Sequence, residues 1–557
     1  MKRERLWIKK LPSRELLYTF ILEGGFTPLI SQILINKGFQ EVSSAYRFLF
    51  PQLTDLGSPF EIPGMLEAVK RLSVSLERGE ALGIYGDSDV DGIVGSYILY
   101  DFLKKITGIP PLVIIPDKNK EGYGFHSKFL PIFKERGVKL IITVDVGISA
   151  VETVNTAKML GMEVIITDHH EIRQKPETYI VSGKLTPTDS PFHYLCGAGV
   201  ALALIRGLRS YLYQRGFFKE MKPPSLREYL ELVALATLAD MVPLVGENRI
   251  ITYFGFRDLS EPSHPLLKEL IQSLNLKLPL SEEDLHFKII PRLNACGRLG
   301  KGELLFNLFA KDDQAVEGEA VKILEDIYGE RQLLEGEIWE KIDRETNSMA
   351  HHRVILGVFE GIPRAMLGLL ANRLKRKYER PVLLVSLENG LAYGSGRSPE
   401  GIDLLDLLWP YRELFLELGG HKKAFGFQIL RENLKTLEKI LRDLPLEDST
   451  QEPALYVEAE TTVAELLLEE NLSIIREFPP YGIGHEPPLL ALKGFQVKSC
   501  EYLKEKHTKF LLRDGAKELY ALYFNQICPE SIHLLAGYPY INNYSQRLEI
   551  KVEDVKL

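Results

Sequence analysis

The sequence predicts an α/β protein: a parallel-sheet domain, a long connecting helix, a second, smaller α/β domain and a C-terminal β-barrel. Three observations carry this. From about residue 61 to 300, short Val/Ile-rich runs alternate with helical stretches, the pattern of a parallel sheet buried on both faces. Residues 312–347 are rich in Glu, Lys, Leu and Gln and carry no proline, as in one long helix. The last hundred residues alternate apolar and polar with frequent turns.

The elements follow in order. Residues 1–60 read as short helices and loops with no recognisable chemistry. An amphipathic helix (65–78) precedes the apolar run 81–85, and a helix runs from near Gly92 to Lys105. Then come a strand at 112–115, a helix around 126–136, a strand at 139–144, a helix at 150–160 and a strand at 163–167. In the long helix, Gly329 and Gly336 mark where a break would fall. The second unit has a strand (353–358), a helix (363–377), a strand (381–386) and a glycine-rich turn into Gly394-Ser-Gly-Arg-Ser398. Residues 445–455 read as a linker.

With 557 residues, 45% of them hydrophobic and 26% charged, the chain has ordinary globular composition, enough for three or four domains. It lacks an apolar run of transmembrane length, and its basic N-terminus lacks the apolar region of a secretory signal. Cys196, Cys296, Cys500 and Cys528 are widely spaced, which argues against a zinc knuckle or disulfide framework and fits a reducing cytoplasm. A net charge of −8 excludes a wholesale polycationic coat, so nucleic-acid contacts must come from local basic patches.

The sharpest signal is where acids fall. Tyr85-Gly-Asp87-Ser-Asp89-Val-Asp91-Gly92 follows the first strand, Asp145 ends the third, and Asp168-His169-His170 ends the fourth. Asp240 follows an apolar helical run, Ala234 to Ala239. In open α/β sheets, ligands bind outside the carboxyl ends of the strands. Carboxylates crowded there repel each other unless divalent cations neutralise them, and mixed Asp and His donors suit Mn²⁺, Mg²⁺ or Zn²⁺. An EF-hand is the bland alternative for Asp-x-Asp-x-Asp-Gly. It fails because the twelfth position from Asp87 is Ile98 and a strand precedes the motif.

These motifs resemble those of the DHH phosphoesterase superfamily and, more closely, of its RecJ family. Supporting stretches are Glu121-Gly-Tyr-Gly124, Leu195-Cys-Gly-Ala-Gly-Val-Ala201, Pro291-Arg-Leu-Asn-Ala-Cys-Gly-Arg298, Ser395-Gly-Arg397, Gly419-Gly-His421 and Tyr481-Gly-Ile-Gly-His-Glu-Pro-Pro488. Departures are His485 where the family often has Asn, Lys118 where Arg is common, and Phe359-Glu-Gly-Ile-Pro-Arg364 in place of a His-Pro-Gly-type turn.

The resemblance implies five units: an N-terminal helical segment (1–60), a DHH catalytic domain (61–305), a connecting helix (306–348), a DHHA1-like domain (349–445) and an OB-fold-containing region (446–557). It implies a 5′→3′ exonuclease specific for single-stranded DNA, acting in repair and recombination. Two divalent ions are implied, Mn²⁺ foremost and Mg²⁺ as the other choice. Asp145 would bridge them, Asp89 with Asp87 would hold one, and Asp91, His169 and Asp240 the other. His170 would face the scissile phosphate and Asp168 would orient a histidine. Lys118, Asn294, Arg298, Ser395, Arg397 and His421 would bind phosphates, with Arg397, flanked by Ser395 and the backbone amides of a glycine-rich turn, gripping a terminal 5′-phosphate. In the OB region, Lys498, Lys504, Lys506, Lys509 and Arg513 interleave with Phe495, Tyr502 and Phe510, a pattern suited to stacking and phosphate contacts. Expected partners are single-stranded DNA, a helicase and a single-strand-binding protein. The alternatives are a DHH phosphodiesterase acting on short oligonucleotides or cyclic dinucleotides, and a non-catalytic replication scaffold, which would show eroded ligand positions.

Overall fold

The computed structural model describes residues 5–311, 318–349, 352–445, 454–527 and 531–557. Its first sheet has five parallel strands in the order Leu112–Ile114, Ala81–Gly86, Val138–Val144, Glu163–Thr167, Tyr179–Val181. Alternate residues face opposite sides. Ile84, Ile142 and Ile165 enter a large core with helices Met65–Glu77, Val90–Thr107, Gly197–Gln214 and Leu230–Asp240. Tyr85, Ile141 and Ile166 face a second core with Phe133 and Val154. Each such aliphatic side chain stabilises the fold by roughly 1.5–3 kcal/mol. Burial on both sides explains why the strands read as continuous apolar runs.

The chain order of these strands is 2-1-3-4-5, so connections leave strand Ala81–Gly86 in opposite directions. The resulting crevice lies between the carboxyl ends of Ala81–Gly86 and Val138–Val144, where Asp87 and Asp145 stand. The edge strand Tyr179–Val181 was not anticipated; three residues give too short a period to detect. The helix expected around 126–136 is a 3₁₀ turn (Ser127–Phe129) running into Leu130–Glu135.

The connecting helix, Glu319–Thr346, is unbroken at Gly329 and Gly336, both of which face open space. Glycine weakens a helix but keeps its amide donor, and only proline removes one. Leu324 and Ile327 anchor the helix in the first core, and Ile342 in that of the second domain. Residues 312–317 lie outside the described segments.

The second sheet runs Phe415–His421, Ala424–Leu430, Leu391–Arg397, Val382–Glu388, Ile355–Glu360. Here the structure corrects the sequence reading, because Gly394-Ser-Gly-Arg397 is strand and not turn. Its neighbours pair with it on both sides. The glycines are needed because the rings of Phe427 and Phe425 lie where Cβ atoms at 394 and 396 would stand, 2.0 and 2.2 Å away. The backbone amides beside Arg397 therefore serve the sheet and are not a phosphate cradle.

The C-terminal sheet has seven strands in the order Ala459–Thr462, Leu490–Lys493, Leu534–Ile541, Leu548–Lys556, Lys517–Tyr523, His507–Asp514, Gln496–Leu503. The N-terminal helices share its core: Phe20, Ile30 and Leu49 pack with Leu490, Phe510 and Ile550. Strand Trp7–Lys9 also pairs in parallel with Leu455–Val457. Most of the 445–455 stretch read as a linker, residues 446–453, lies outside the described segments.

Candidate metal centre and phosphate site

Five elements converge on the crevice. Asp89 caps helix Val90–Thr107 by accepting from the Gly92 amide at 3.2 Å. Asp91, in the first turn of that helix, accepts from the amides of Gly197 (2.6 Å) and Ala198 (2.8 Å) at the start of helix Gly197–Gln214. That helix end favours a negative charge and fixes both carboxylate oxygens. Asp145 sits just past its strand at φ +61, a left-handed conformation costing roughly 1–3 kcal/mol in a non-glycine residue. Its amide donates to the Thr167 carbonyl at 2.8 Å, which holds it there. Gly197 is required opposite, since a Cβ there would fall 2.5 Å from Asp145 Cβ. Asp240 ends helix Leu230–Asp240 and precedes Met241, also left-handed.

His169 is the centre of this group. Its Nε2 lies 3.1 Å from Asp145 Oδ1, 3.4 Å from Asp240 Oδ2 and 3.8 Å from Asp91 Oδ2. Three overlapping sets have donor atoms within 4.8 Å of one another: Asp87, Asp89 and Asp145; Asp91, His169 and Asp240; and Asp145, His169 and His170. Asp145 Oδ1 and His169 Nε2 are buried without a hydrogen-bond partner. A satisfied protein interior leaves few such atoms, and a cation accepting both donors accounts for them.

The electrostatics agree. Burial, then Asp91, Asp89, Asp87 and Asp240, push the Asp145 carboxyl well above the usual range. Burial above all raises Asp87 and Asp240, and it raises Asp91 to about 7. Burial also lowers His169 to about 3, leaving a neutral imidazole suited to metal ligation. The acids cannot all ionise together unless cations join them.

Asp168 is excluded from this ring. Its carboxylate accepts from the amides of Ile148 (2.9 Å), His169 (2.7 Å) and His170 (3.1 Å), and its Oδ1 lies 2.8 Å from His170 Nδ1. Although burial opposes it, that hydrogen bond pushes His170 up to about 9. The Tyr123 hydroxyl donates to the Asp145 carbonyl at 3.2 Å and lies 3.0 Å from His170 Nδ1. Tyr123 lies within Glu121-Gly-Tyr-Gly124, and nothing in the sequence marks this contact.

The expected phosphate binders divide. Lys118 Nζ lies 2.7 Å from Asp87 and 3.8 Å from Asp89, inside the acid cluster. Asn294 Oδ1 accepts from the Val90 amide at 3.3 Å, at the mouth of the crevice. Arg298, on helix Ile290–Arg298, donates to the Ala365 carbonyl of the second domain at 3.0 Å. Arg397 donates to Ser395 Oγ (2.8 Å) and the Gly396 carbonyl (2.7 Å), against Gly368 in helix Arg364–Tyr378. Burial lowers both guanidinium pKa values, and Arg298 lowers that of Arg397 further. His421 ends strand Phe415–His421, and its side chain lies outside the described residues. In the C-terminal sheet, Phe495 and Phe510 are buried core, which removes them as stacking platforms, whereas Tyr502 is exposed. Lys498 and Arg513 both pair with Glu518. His485, the departure from the family's Asn, is buried and bonds the Phe478 carbonyl at 2.8 Å.

The chain resembles known proteins over these domains. The DHH family N-terminal domain matches residues 82–237, the DHHA1 domain 349–444 and the RecJ OB domain 457–554. The single-stranded-DNA-specific exonuclease RecJ of Bacillus subtilis (strain 168) is 30% identical over 557 residues, 97% of this chain and 69% of the relative. The chain belongs to the RecJ family. The RecJ exonuclease of Salmonella typhimurium is 29% identical, covering 94% of this chain and 93% of the relative. The crystal structure of RecJ in complex with Mn²⁺ from Thermus thermophilus superposes with a TM-score of 0.81 at 26% identity, over 100% of this chain and 80% of that one. Its Mg²⁺ complex gives a TM-score of 0.74 at 25% identity, over 99% of this chain and 78% of that one.

Proposed function

We propose that this chain hydrolyses single-stranded DNA from its 5′ end, releasing nucleotides during DNA repair and recombination. The observation carrying this is the orphaned pair Asp145 Oδ1 and His169 Nε2, buried among four further carboxylates in a chain of the RecJ family. Two divalent cations fit the donors: Asp87, Asp89 and Asp145 for one, and Asp145, Asp91, His169 and Asp240 for the other. Mn²⁺ or Mg²⁺ suits these oxygen-rich sets, and the Thermus thermophilus relative forms a crystalline complex with each. When bound, such a pair supplies charge neutralisation and nucleophile activation for an in-line displacement at phosphorus.

The chain's own groups do the rest. Asp168 fixes the His170 ring through Nδ1, leaving Nε2 to hold and deliver a proton to the departing oxygen. Tyr123 bridges His170 to the Asp145 backbone and limits rotation of the imidazole. Lys118 places a positive charge beside Asp87 and Asp89, at the edge of the crevice. Arg298 and Arg397, at the start of helix Arg364–Tyr378, form a cationic corner for a 5′-phosphate, with Ser395 orienting Arg397. The C-terminal sheet guides the strand with Tyr502 and neighbouring lysines, and a helicase and single-strand-binding protein supply unwound substrate.

Among the described residues, no helix is long and apolar enough to cross a membrane. Filled ligand positions argue against a non-catalytic scaffold, and the RecJ OB match argues against a dinucleotide phosphodiesterase. Comparing cleavage of labelled single-stranded DNA with that of dinucleotides tests the choice. Turnover of dinucleotides alone would reject the proposal.

A further inference from the structure

The Tyr481–Pro488 motif has no part in the chemistry above, yet it touches the metal centre's frame. Asp240 ends its helix, and the loop that follows, residues 241–246, leans on this C-terminal segment. The Leu244 amide donates to the Ile483 carbonyl at 2.8 Å. Gly482 packs so closely that a Cβ there would stand 2.8 Å from Leu244 Cδ1, and one at Gly484 would stand 3.3 Å from Pro243 Cβ. The segment is itself braced: Gly482 and His485 exchange two backbone hydrogen bonds of 3.1 Å, and the Tyr481 amide donates to Glu282 at 2.9 Å.

Helix Glu247–Asp258 joins this contact to the second acid. Asn248 donates to the Pro243 carbonyl (3.0 Å) and the Tyr194 carbonyl (2.5 Å), three residues before the Gly197 amide that binds Asp91. The next residue, Arg249, is 2% exposed. It donates to the carbonyls of Glu477 (2.7 Å), Pro479 (3.2 Å) and Phe48 (3.1 Å). One helix start thus grips the loop behind Asp240, the turn leading into the amides that bind Asp91, the C-terminal segment and the last turn of an N-terminal helix.

We infer that the 481–485 segment is a strut that positions Asp240 and Asp91, so the C-terminal region sets the affinity of one of the two cation sites. Gly482 and Arg249 are its positioning residues; neither touches a cation or substrate. The inference rests on the two-cation reading above. Because coupling is reciprocal, filling that site must in turn steady the strut.

The test is Mn²⁺ binding by the full chain, read from loss of the free Mn²⁺ signal in electron paramagnetic resonance, without substrate. The wild-type chain should bind two ions. Gly482→Ala should weaken one site by about tenfold, as outer-shell changes do, and leave the other unchanged. Arg249→Lys, which cannot hold three carbonyls, should do the same. A folded Gly482→Ala chain with both affinities unchanged overturns the strut and leaves the two-cation reading intact. A wild-type chain binding fewer than two ions overturns that reading itself. If the variants do not fold, hydrogen exchange on the unaltered chain decides. Residues 477–486 should exchange more slowly with Mg²⁺ than without it, and identical exchange overturns the strut.

Discussion

The Asp168 carboxylate lies 2.8 Å from His170 Nδ1, while the adjacent residue, His169, turns its Nε2 toward Asp145, Asp91 and Asp240. Two neighbouring histidines therefore have opposite electrostatics: His169 is pulled down to about 3 chiefly by burial, and His170 is raised to about 9 by Asp168 despite burial. Asp168→Asn should lower kcat roughly 10–100-fold, because the ring loses its orientation, with little change in Mn²⁺ binding. Single-turnover rates beside a metal titration check this. An equal loss of metal binding would mean that Asp168 is a ligand.

Asp145 shares one donor set with Asp87 and Asp89, and its Oδ1 lies 3.1 Å from His169 Nε2 in the set with Asp91 and Asp240, so its loss weakens both proposed cation sites. Asp145→Ala should reduce cleavage at least about a thousandfold, since several kcal/mol of cation-dependent stabilisation disappear. The fold should survive, because the variant also relieves carboxylate crowding. Mn²⁺ should raise Tm of the wild-type chain and leave that of the variant nearly unmoved, as scanning calorimetry will show.

Arg397 and Arg298 meet at the start of helix Arg364–Tyr378, and neither touches the cation donors. Arg397→Ala should therefore weaken cutting of 5′-phosphorylated strands about tenfold or more, and of 5′-hydroxyl strands much less. Competition between the two labelled ends measures the ratio. Equal losses would remove Arg397 from end recognition.

Metal binding should follow pH. Burial raises Asp91 to about 7 in the cation-free chain, so that carboxyl holds a proton which a cation must displace. Mn²⁺ affinity should fall as pH drops from 8 to 6, and titrations in buffers of different ionisation enthalpy should register proton release. Folding of the cation-free chain should show the opposite trend. A carboxyl whose folded pKa exceeds the unfolded value of about 3.9 contributes stability below that pH and loses it as pH rises through about 7. Urea unfolding in EDTA checks the direction.

Much of the site was legible because strand ends are. A Val/Ile run terminating in Asp announces both the strand and where its carboxylate points, as with Thr143-Val-Asp145. The roles of Asp168 and His169 came instead from resemblance, since nothing local distinguishes adjacent residues aimed in different directions. Gly394-Ser-Gly-Arg397 misled because glycine pairs usually mark turns, whereas here they clear space for Phe425 and Phe427 from the neighbouring strand Ala424–Leu430. Phe510 could not be told from an exposed aromatic, because the face it takes in strand His507–Asp514 depends on pairing register, and Phe495 lies in the connection before strand Gln496–Leu503, where no periodicity assigns a face. The contacts of Tyr123, Arg249 and Tyr481–His485 join distant segments, and a single sequence contains no signal for them.

The most direct measurement is digestion of end-labelled single- and double-stranded DNA with Mn²⁺, with Mg²⁺ and with EDTA. Single strands should shorten from the 5′ end with either cation, duplex should persist, and EDTA should stop the reaction. Undiminished cleavage in EDTA, or none with either cation, would contradict the two-cation account.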